Sequence, residues 1–570
     1  MLPDEQPSPE QIVASRAMSG ERRWRLAEQL YWSARKMKAA GLRSQHPDWP
    51  DERMDAECGE FSSMPDPACS FCSNLGKNMK TFWIATFTIC AGLCVTGAEQ
   101  SAQLATQKQT GKPISLHPEN PHYFLFRGKP TVLITSTEHY GAVLNPDFDY
   151  VAYLDTLRAA GLNLTRTVNG NFLEATNAVL WRGGDQNPLA PRSGRYLAPW
   201  ARSDQPGYYF GGNKFDLDRW DDNYFRRLKD FVQAASDRGI VVEFNAFYVL
   251  YDEGPIKGSW VLHPLNAPNN VNAVGNIPWH RYNTLADAGI VARQDALLRK
   301  TLTELNAFDN VYYEICDEPY FSGASPAETA AWQNHIIDTF VATERELPRK
   351  HLIAVNFANG YLAVQKPHPA ISVFNFHYCS PPAAVPLNWH FNKPIVFDET
   401  AGRGGHLALE RRREAWAFML SGGAGYDNLD PSFATDDATG SGKVQQADGR
   451  YDCRDVRAQL GVLKRFMGSL DFIHMRPNQL LLRPWPHSPS EDFYALENPG
   501  KAYAVYFKGS AQRRRTKFAM DLPAGHWQPE WVTPRDGAVQ ILEPFAHPGG
   551  GWLTETPEFA EDIALRLKKK

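Results

Sequence analysis

NVYYEICDEPY, residues Asn310 to Tyr320, is an apolar run that ends without warning in two adjacent acids and a proline. Val311, Tyr312, Tyr313 and Ile315 are side chains that suit a buried strand. A period of two sets Glu314, Cys316 and Glu318 on one face, and Tyr313, Ile315 and Asp317 on the other, towards covering helices. Pro319 has no amide hydrogen to give a ladder and keeps its predecessor extended, so the strand is expected to stop with Glu318 at its mouth. Further on, KPIVFDETAG (Lys393 to Gly402) repeats the arrangement: Ile395, Phe397 and Glu399 share a face and Glu399 finishes the run.

Outward from these two segments, short apolar runs alternate with amphipathic helical stretches, the pattern of parallel strands joined by crossover helices. Strands are expected at TVLIT (131–135), NLTRT (163–167), IVVEFN (240–245), NVYYEIC (310–316), HLIAVNF (351–357), ISVFNF (371–376), PIVFDE (394–399) and around GGAGYDNL (422–429). Eight such strands close a (β/α)8 TIM barrel, expected over residues 115–470. The two acid-terminated strands are then the fourth and seventh. About eighty residues separate them, close to three repeats of a barrel of about 250 residues, so their acids face each other across the mouth. Helix punctuation agrees: Asn145-Pro146 is expected to open the helix that Gly161 closes, and Ser325-Pro-Ala-Glu328 reads as a capping box. Long insertions follow strands two and three, where loops build an active-site face. Beyond a helix near 455–466, four alternating stretches between turn signals predict a small antiparallel β-sandwich over 475–570.

Paired carboxyls at facing strand ends suit glycosidic cleavage, in which one protonates the leaving oxygen while the other attacks or supports the anomeric carbon. Either acid alone is more often solvated or capping a helix. With both in place, YEICDEPY and PIVFDETAG resemble the clan A glycoside hydrolases, especially the family 5-like branch with a trailing sandwich domain, from about Pro121 to the C-terminus. The resemblance implies that Glu318 is the acid/base and Glu399 the nucleophile of a retaining double displacement. It also makes Arg166 in NLTRT the arginine beside the nucleophile, and sets His377-Tyr378 after strand six in the substrate site. Asp317 stands where the clan has asparagine, replacing an amide that donates with a carboxylate that only accepts when ionised.

Weaker candidates surround this group. Glu138, His139 and Tyr140 follow strand one, where they either touch the innermost sugar or form a hydrogen-bonded loop. Tyr426, Asn428 and Asp430 end strand eight, where an aromatic floor is expected, and Asn245 ends strand three. Trp260, Trp279, Tyr320 and Trp389 are read on mouth loops, as sugar-stacking platforms or as loop core. Glu314, deeper on the inward face, is expected to be a structural partner of Arg166 or another polar group.

Composition excludes other classes. A net charge of -4 supplies no basic field for nucleic acid. No His-x-His cluster marks a metal-dependent barrel and no Gly-x-Ser-x-Gly elbow marks a serine hydrolase. Cys69-Ser-Phe-Cys72 has zinc-like spacing but no second pair, and three cysteines after residue 98 make no disulfide framework, so neither metal nor cofactor is expected. Residues 1–78 read as a separate helical or unstructured extension, similar to short bacterial helical proteins of unknown role. Around the segment 79–98, basic residues Lys77 and Lys80 precede an uncharged run from Thr81 to Gly97 and a small-residue end, the layout of a secretory signal peptide expected over 79–98. Translation from Met79 fits that layout; a signal anchor is the rival, and the location implied is secreted or periplasmic. The sequence thus predicts a secreted retaining glycosidase acting on a poly- or oligosaccharide, or else a carbohydrate-binding barrel impaired by Asp317.

Overall fold

Eight short runs of β-branched and aromatic residues, nearly all buried, pair in parallel because helices cover them from outside. The computed structural model describes residues 111–174, 187–250, 258–400, 407–442, 444–446, 449–451, 453–484 and 492–570. The expected extension (1–78), the signal segment (79–98) and Cys69 and Cys72 lie outside these residues. Residues Glu99–Lys570 form one compact unit.

The barrel strands are β1 (Leu133–Thr137), β2 (Leu164–Val168), β3 (Val241–Asn245), β4 (Val311–Glu314), β5 (Ile353–Asn359), β6 (Val373–His377), β7 (Ile395–Glu399) and β8 (Gly425–Leu429). They pair in the order β1, β8, β7, β6, β5, β4, β3, β2. Closure between β1 and β2 rests on Asn163 and Thr135 rather than on a full ladder. The Asn163 amide donates to Ile134 O at 3.2 Å, its side chain bridges Ile134 N and Val132 O at 3.0 Å each, and Thr135 Oγ1 donates to Leu164 O at 2.6 Å. These contacts satisfy backbone groups that an unpaired edge would leave open. The (β/α)8 TIM barrel is the architecture that the strand pattern predicted.

The covering helices are α1 (Tyr150–Ala159), α2 (Asp222–Asp237), α3 (Ala288–Leu305), α4 (Pro326–Glu346), the short α5 (Ala384–Asn388), α6 (Leu407–Leu420) and α7 (Cys453–Gly468). Ser325 and Glu328 form the expected capping box of α4. Helix α1 starts later than Asn145-Pro146 suggested. Asp149 caps it, accepting from Val151 N and Ala152 N, while Asn145 Oδ1 accepts from Asp147 N in a preceding turn. The insertion between β2 and α2 holds a hairpin (Trp200–Pro206 with Asn213–Trp220). A second hairpin, Phe124–Phe126 with Lys129–Thr131, precedes β1.

After α7 the chain turns antiparallel: β9 (Asp492–Asn498), β10 (Ala502–Lys508), β11 (Lys517–Leu522), β12 (Gly525–Val532), β13 (Gly550–Glu555) and β14 (Asp562–Lys569). Strands β9, β10, β14 and β12 form one sheet, and β11 and β13 belong to a second. Val505, Phe507, Trp527, Trp531 and Leu565 of the first meet Phe518 and Met520 of the second in a shared core, the expected sandwich. Helix α6 joins this sandwich to the barrel. Trp416 stacks on Tyr506 with ring centroids 5.5 Å apart, and Arg412 donates to buried Asp562 at 2.8 Å. Cys316, Cys379 and Cys453 are buried and free. Among the described residues, no helix is long and apolar enough to cross a membrane.

Candidate active site

Period-two counting fails at the ends of β4 and β7, and both failures bring acids inward. Regular β4 stops at Glu314, four residues short of the expected end. Asp317 N then bonds to Phe247 O at 3.1 Å, and Glu318 adopts φ 43°, ψ 47° instead of the extended conformation expected before proline. A left-handed glutamate costs energy, and such strain persists where surrounding contacts over-determine it. On β7 the register with β6 slips between Phe376/Phe397 and His377/Glu399, leaving Asp398 as the extra residue. Phe397 consequently faces outward against Phe418 and Tyr426. Asp398 and Glu399 both turn to the site, so Phe397 and Glu399 do not share a face as expected. Asp317 likewise joins the inward acids, while Tyr313 packs outward against Phe340 as the alternation required.

Arg166 of β2 is the hub. Its Nη1 donates to Glu399 Oε2 at 2.7 Å and to the Tyr140 hydroxyl at 2.6 Å, and its Nη2 pairs with Asp317 Oδ1. Nη2 also lies 3.5 Å from Glu314 and 3.7 Å from Asp398, so Glu314 is an arginine partner. Tyr140 donates in turn to Glu399 Oε2, and Tyr378 donates to Glu399 Oε1 at 2.8 Å. His377 Nδ1 stands 3.1 Å from Glu318 Oε1 and 3.8 Å from Glu399 Oε1, so a single ring nitrogen borders both glutamates. Tyr140 and Tyr378 share the left-handed conformation of Glu318, at φ 59° and 50°.

Burial works against charge on Glu399, but His377, Arg166 and the two tyrosine hydroxyls outweigh it and hold the carboxyl at about 2. Burial likewise opposes a charged His377, yet Glu399 and Asp398 pull it well above the ordinary histidine range, making it an imidazolium. Burial dominates at Asp317 and lifts it to about 7 against the pull of Arg166. Below the site, burial raises Glu243 and raises Glu314 well above the usual carboxylate range. Asn375 Nδ2 donates to both, at 2.5 and 2.6 Å. Two sets of groups lie close enough to ligate a cation: Asp317, His377 and Glu399, and Glu243, Glu314 and Asp398. The Arg166 guanidinium already stands between them, supplying positive charge to each.

Arg166, Asp317, Glu318, His377, Tyr378, Tyr140 and Glu399 therefore converge at the carboxyl ends of the strands. Other candidates do not. Glu138 accepts from Gly141 N at 2.6 Å and Ala142 N at 3.2 Å, folding its own loop. His139 bonds to Glu174 at 2.7 Å, its ring 4.9 Å from that of Tyr140. Asn245 is fully buried beside Glu314 in the ladder, and its amide has no hydrogen-bond partner. Tyr426 points outward, 3.4 Å from Glu414 of α6, because even positions of β8 face the helices. Asn428 on the same face donates to Ser136 at 2.8 Å, and Asp430 pairs with Arg457 of α7 at 2.5 Å. No floor of β8 residues forms. Trp389 is not on the mouth: it lies on the loop entering β7 and stacks on His122 with centroids 3.4 Å apart. Trp260 is loop core, its indole donating to Ile277 O at 3.0 Å, and Trp279 closes over Gly323. Asp398 was missed in the sequence, although it stands beside Glu399 as Asp317 stands beside Glu318.

Residues 16–61 match the Rv0078B-related antitoxin family. No curated protein matches the chain. Among solved structures, a glycoside hydrolase superposes with a TM-score of 0.51 at 13% identity, covering 80% of this chain and 97% of that one. A glycoside hydrolase family 5 protein from Bacteroides vulgatus superposes with a TM-score of 0.54 at 14% identity, covering 81% of this chain and 93% of its own. The superpositions span most of this chain and of each neighbour, and the chain has a family 5-like glycoside hydrolase fold.

Proposed function

We propose that the chain is a retaining glycoside hydrolase that cleaves O-glycosidic bonds in an oligo- or polysaccharide or a smaller glycoside. The observation that carries this reading is the facing pair Glu318 and Glu399, which border one nitrogen of His377 from the ends of β4 and β7. That shared atom caps the separation of the two facing oxygens at roughly 7 Å, against about 5–5.5 Å in retaining and 6.5–9.5 Å in inverting enzymes.

Glu399, kept ionised by Arg166, Tyr140 and Tyr378, attacks the anomeric carbon. Glu318 delivers its proton to the departing glycosidic oxygen as that bond breaks. The resulting ester removes the negative charge of Glu399, and Glu318, now a carboxylate, takes a proton from the water that attacks the same carbon. As water's oxygen bonds to the sugar the ester bond to Glu399 breaks, Glu399 leaves as a carboxylate, and water's proton passes to Glu318, which restores the pair. Oxocarbenium character in each transition state is stabilised by the carboxylates around the site.

Glu399→Ala should lower kcat/KM at least about 10³-fold, and azide should restore turnover with an inverted glycosyl azide. Glu318→Ala with azide should give the retained azide. Full activity in either variant sinks the assignment. A wild-type protein that binds sugars without turnover supports instead a carbohydrate-binding barrel silenced by Asp317, whose carboxylate engages the same arginine as Glu399. We also propose export through the 79–98 segment, which N-terminal sequencing of secreted protein tests.

A further inference from the structure

Glu318 and Glu399 are nearly covered, at 7% and 6% exposure, so a substrate first meets the rim above them. On the side of β4 to β6 that rim is carbon. Tyr320 is 38% exposed, Phe321 47%, Tyr361 48%, Leu362 45% and Tyr378 37%. They come from adjoining segments: the Tyr320 and Phe321 rings lie 4.9 Å apart, and the Tyr320 hydroxyl donates at 2.6 Å to Oδ1 of Asn359, two residues before Tyr361. Gly360 N donates to His377 O at 2.7 Å, which brings the 361–362 segment alongside Tyr378.

Two of the rim's three tyrosine hydroxyls are engaged within the chain. Tyr320 gives its hydrogen to Asn359 and Tyr378 gives its own to Glu399, while Phe321 and Leu362 have none to give. A sugar ring laid here would lose water from its hydroxyls and find few partners, which is costly. An alkyl or aryl group would instead cover exposed carbon. Location completes the argument. Tyr320 and Phe321 follow Glu318 by two and three residues, and the acid that protonates the leaving oxygen stands on the side where the leaving group departs.

We propose that this rim binds the leaving group, and that the substrate is a glycoside with an apolar alkyl or aryl aglycone rather than a further sugar. The proposal rests on the glycosidase reading, and its test separates the two. Glu318→Gln protein is titrated by calorimetry with methyl and octyl glycosides of glucose, galactose and mannose, below their micelle concentrations. The same compounds are offered to wild-type enzyme as substrates. For at least one sugar, the octyl compound should bind about tenfold or more tighter than the methyl one. Adding Phe321→Ser with Leu362→Ser, both exposed positions, should shrink that gap below about threefold. Equal affinities, no octyl binding, or a gap that survives the double substitution overturns the proposal. Turnover without a gap removes the apolar aglycone alone. A gap without wild-type turnover upholds the rim and removes the glycosidase reading.

Discussion

Tyr378 and Glu399 are tied twice: the phenol donates to Oε1 at 2.8 Å, and the Tyr378 amide donates to the Glu399 main-chain carbonyl at 2.9 Å. The second bond survives loss of the hydroxyl, so Tyr378→Phe isolates the first. Glu399 sits at about 2, and activity that depends on its charge is lost as pH falls through that value. Without the hydroxyl its pKa rises, and the acid limb of kcat/KM should move upward while the maximum falls about 10–100-fold. An unmoved acid limb contradicts the assignment of Glu399 as the ionised partner.

Among the described residues, Arg166 is the one cation that reaches Glu314, Asp317, Asp398 and Glu399 together. Arg166→Met should abolish activity and destabilise the fold by about 3–5 kcal/mol, since it strands buried carboxylates. Denaturant melts at pH 5 and pH 8 check this. The loss should be larger at pH 8, where more of those carboxyls must ionise.

Glu138 reports on pH without touching the reacting pair. Burial, opposed by the Gly141 and Ala142 amides, lifts it to about 7 from an ordinary 4.5. The folded state therefore keeps a proton that the unfolded chain has lost, and its contribution is greatest below 4.5 and declines as pH rises through 7. Glu138→Gln should flatten the decline in stability between these values, by up to about 1.4 kcal/mol per pH unit. A parallel pair of melting curves across pH 4–8 rules this out.

Barrel and sandwich should unfold together. Arg412 on α6 bonds Asp562 and Glu561 at 2.8 Å each, and Trp416 beside it stacks on Tyr506. Arg412→Ala leaves buried Asp562 without its cation and should cost about 3–5 kcal/mol. Calorimetry should keep one transition in both proteins. Two separated transitions in the wild type argue against a shared core.

Strand pattern made the barrel, its acid-ended seventh strand and the trailing sandwich legible, because alternation is a local property of the backbone, whereas Pro319 did not keep Glu318 extended. Arg166, His377 and Tyr378 were reached through resemblance, and the structure groups them with Glu399. Trp389, Tyr426 and Asn428 were misplaced because composition does not say which side of a barrel an aromatic or amide faces.

What the sequence determined by itself was that eight strands would pair, that Glu399 would end one of them and that Glu318 would follow another. Which side chains entered the site was decided only in three dimensions. A left-handed turn at Glu318 and an extra residue at Asp398 overrode the period of two, and the groups that hold these irregularities in place are Arg166 and His377. Those partners come from other strands, so their pull on the acids exists only once the barrel has closed around them.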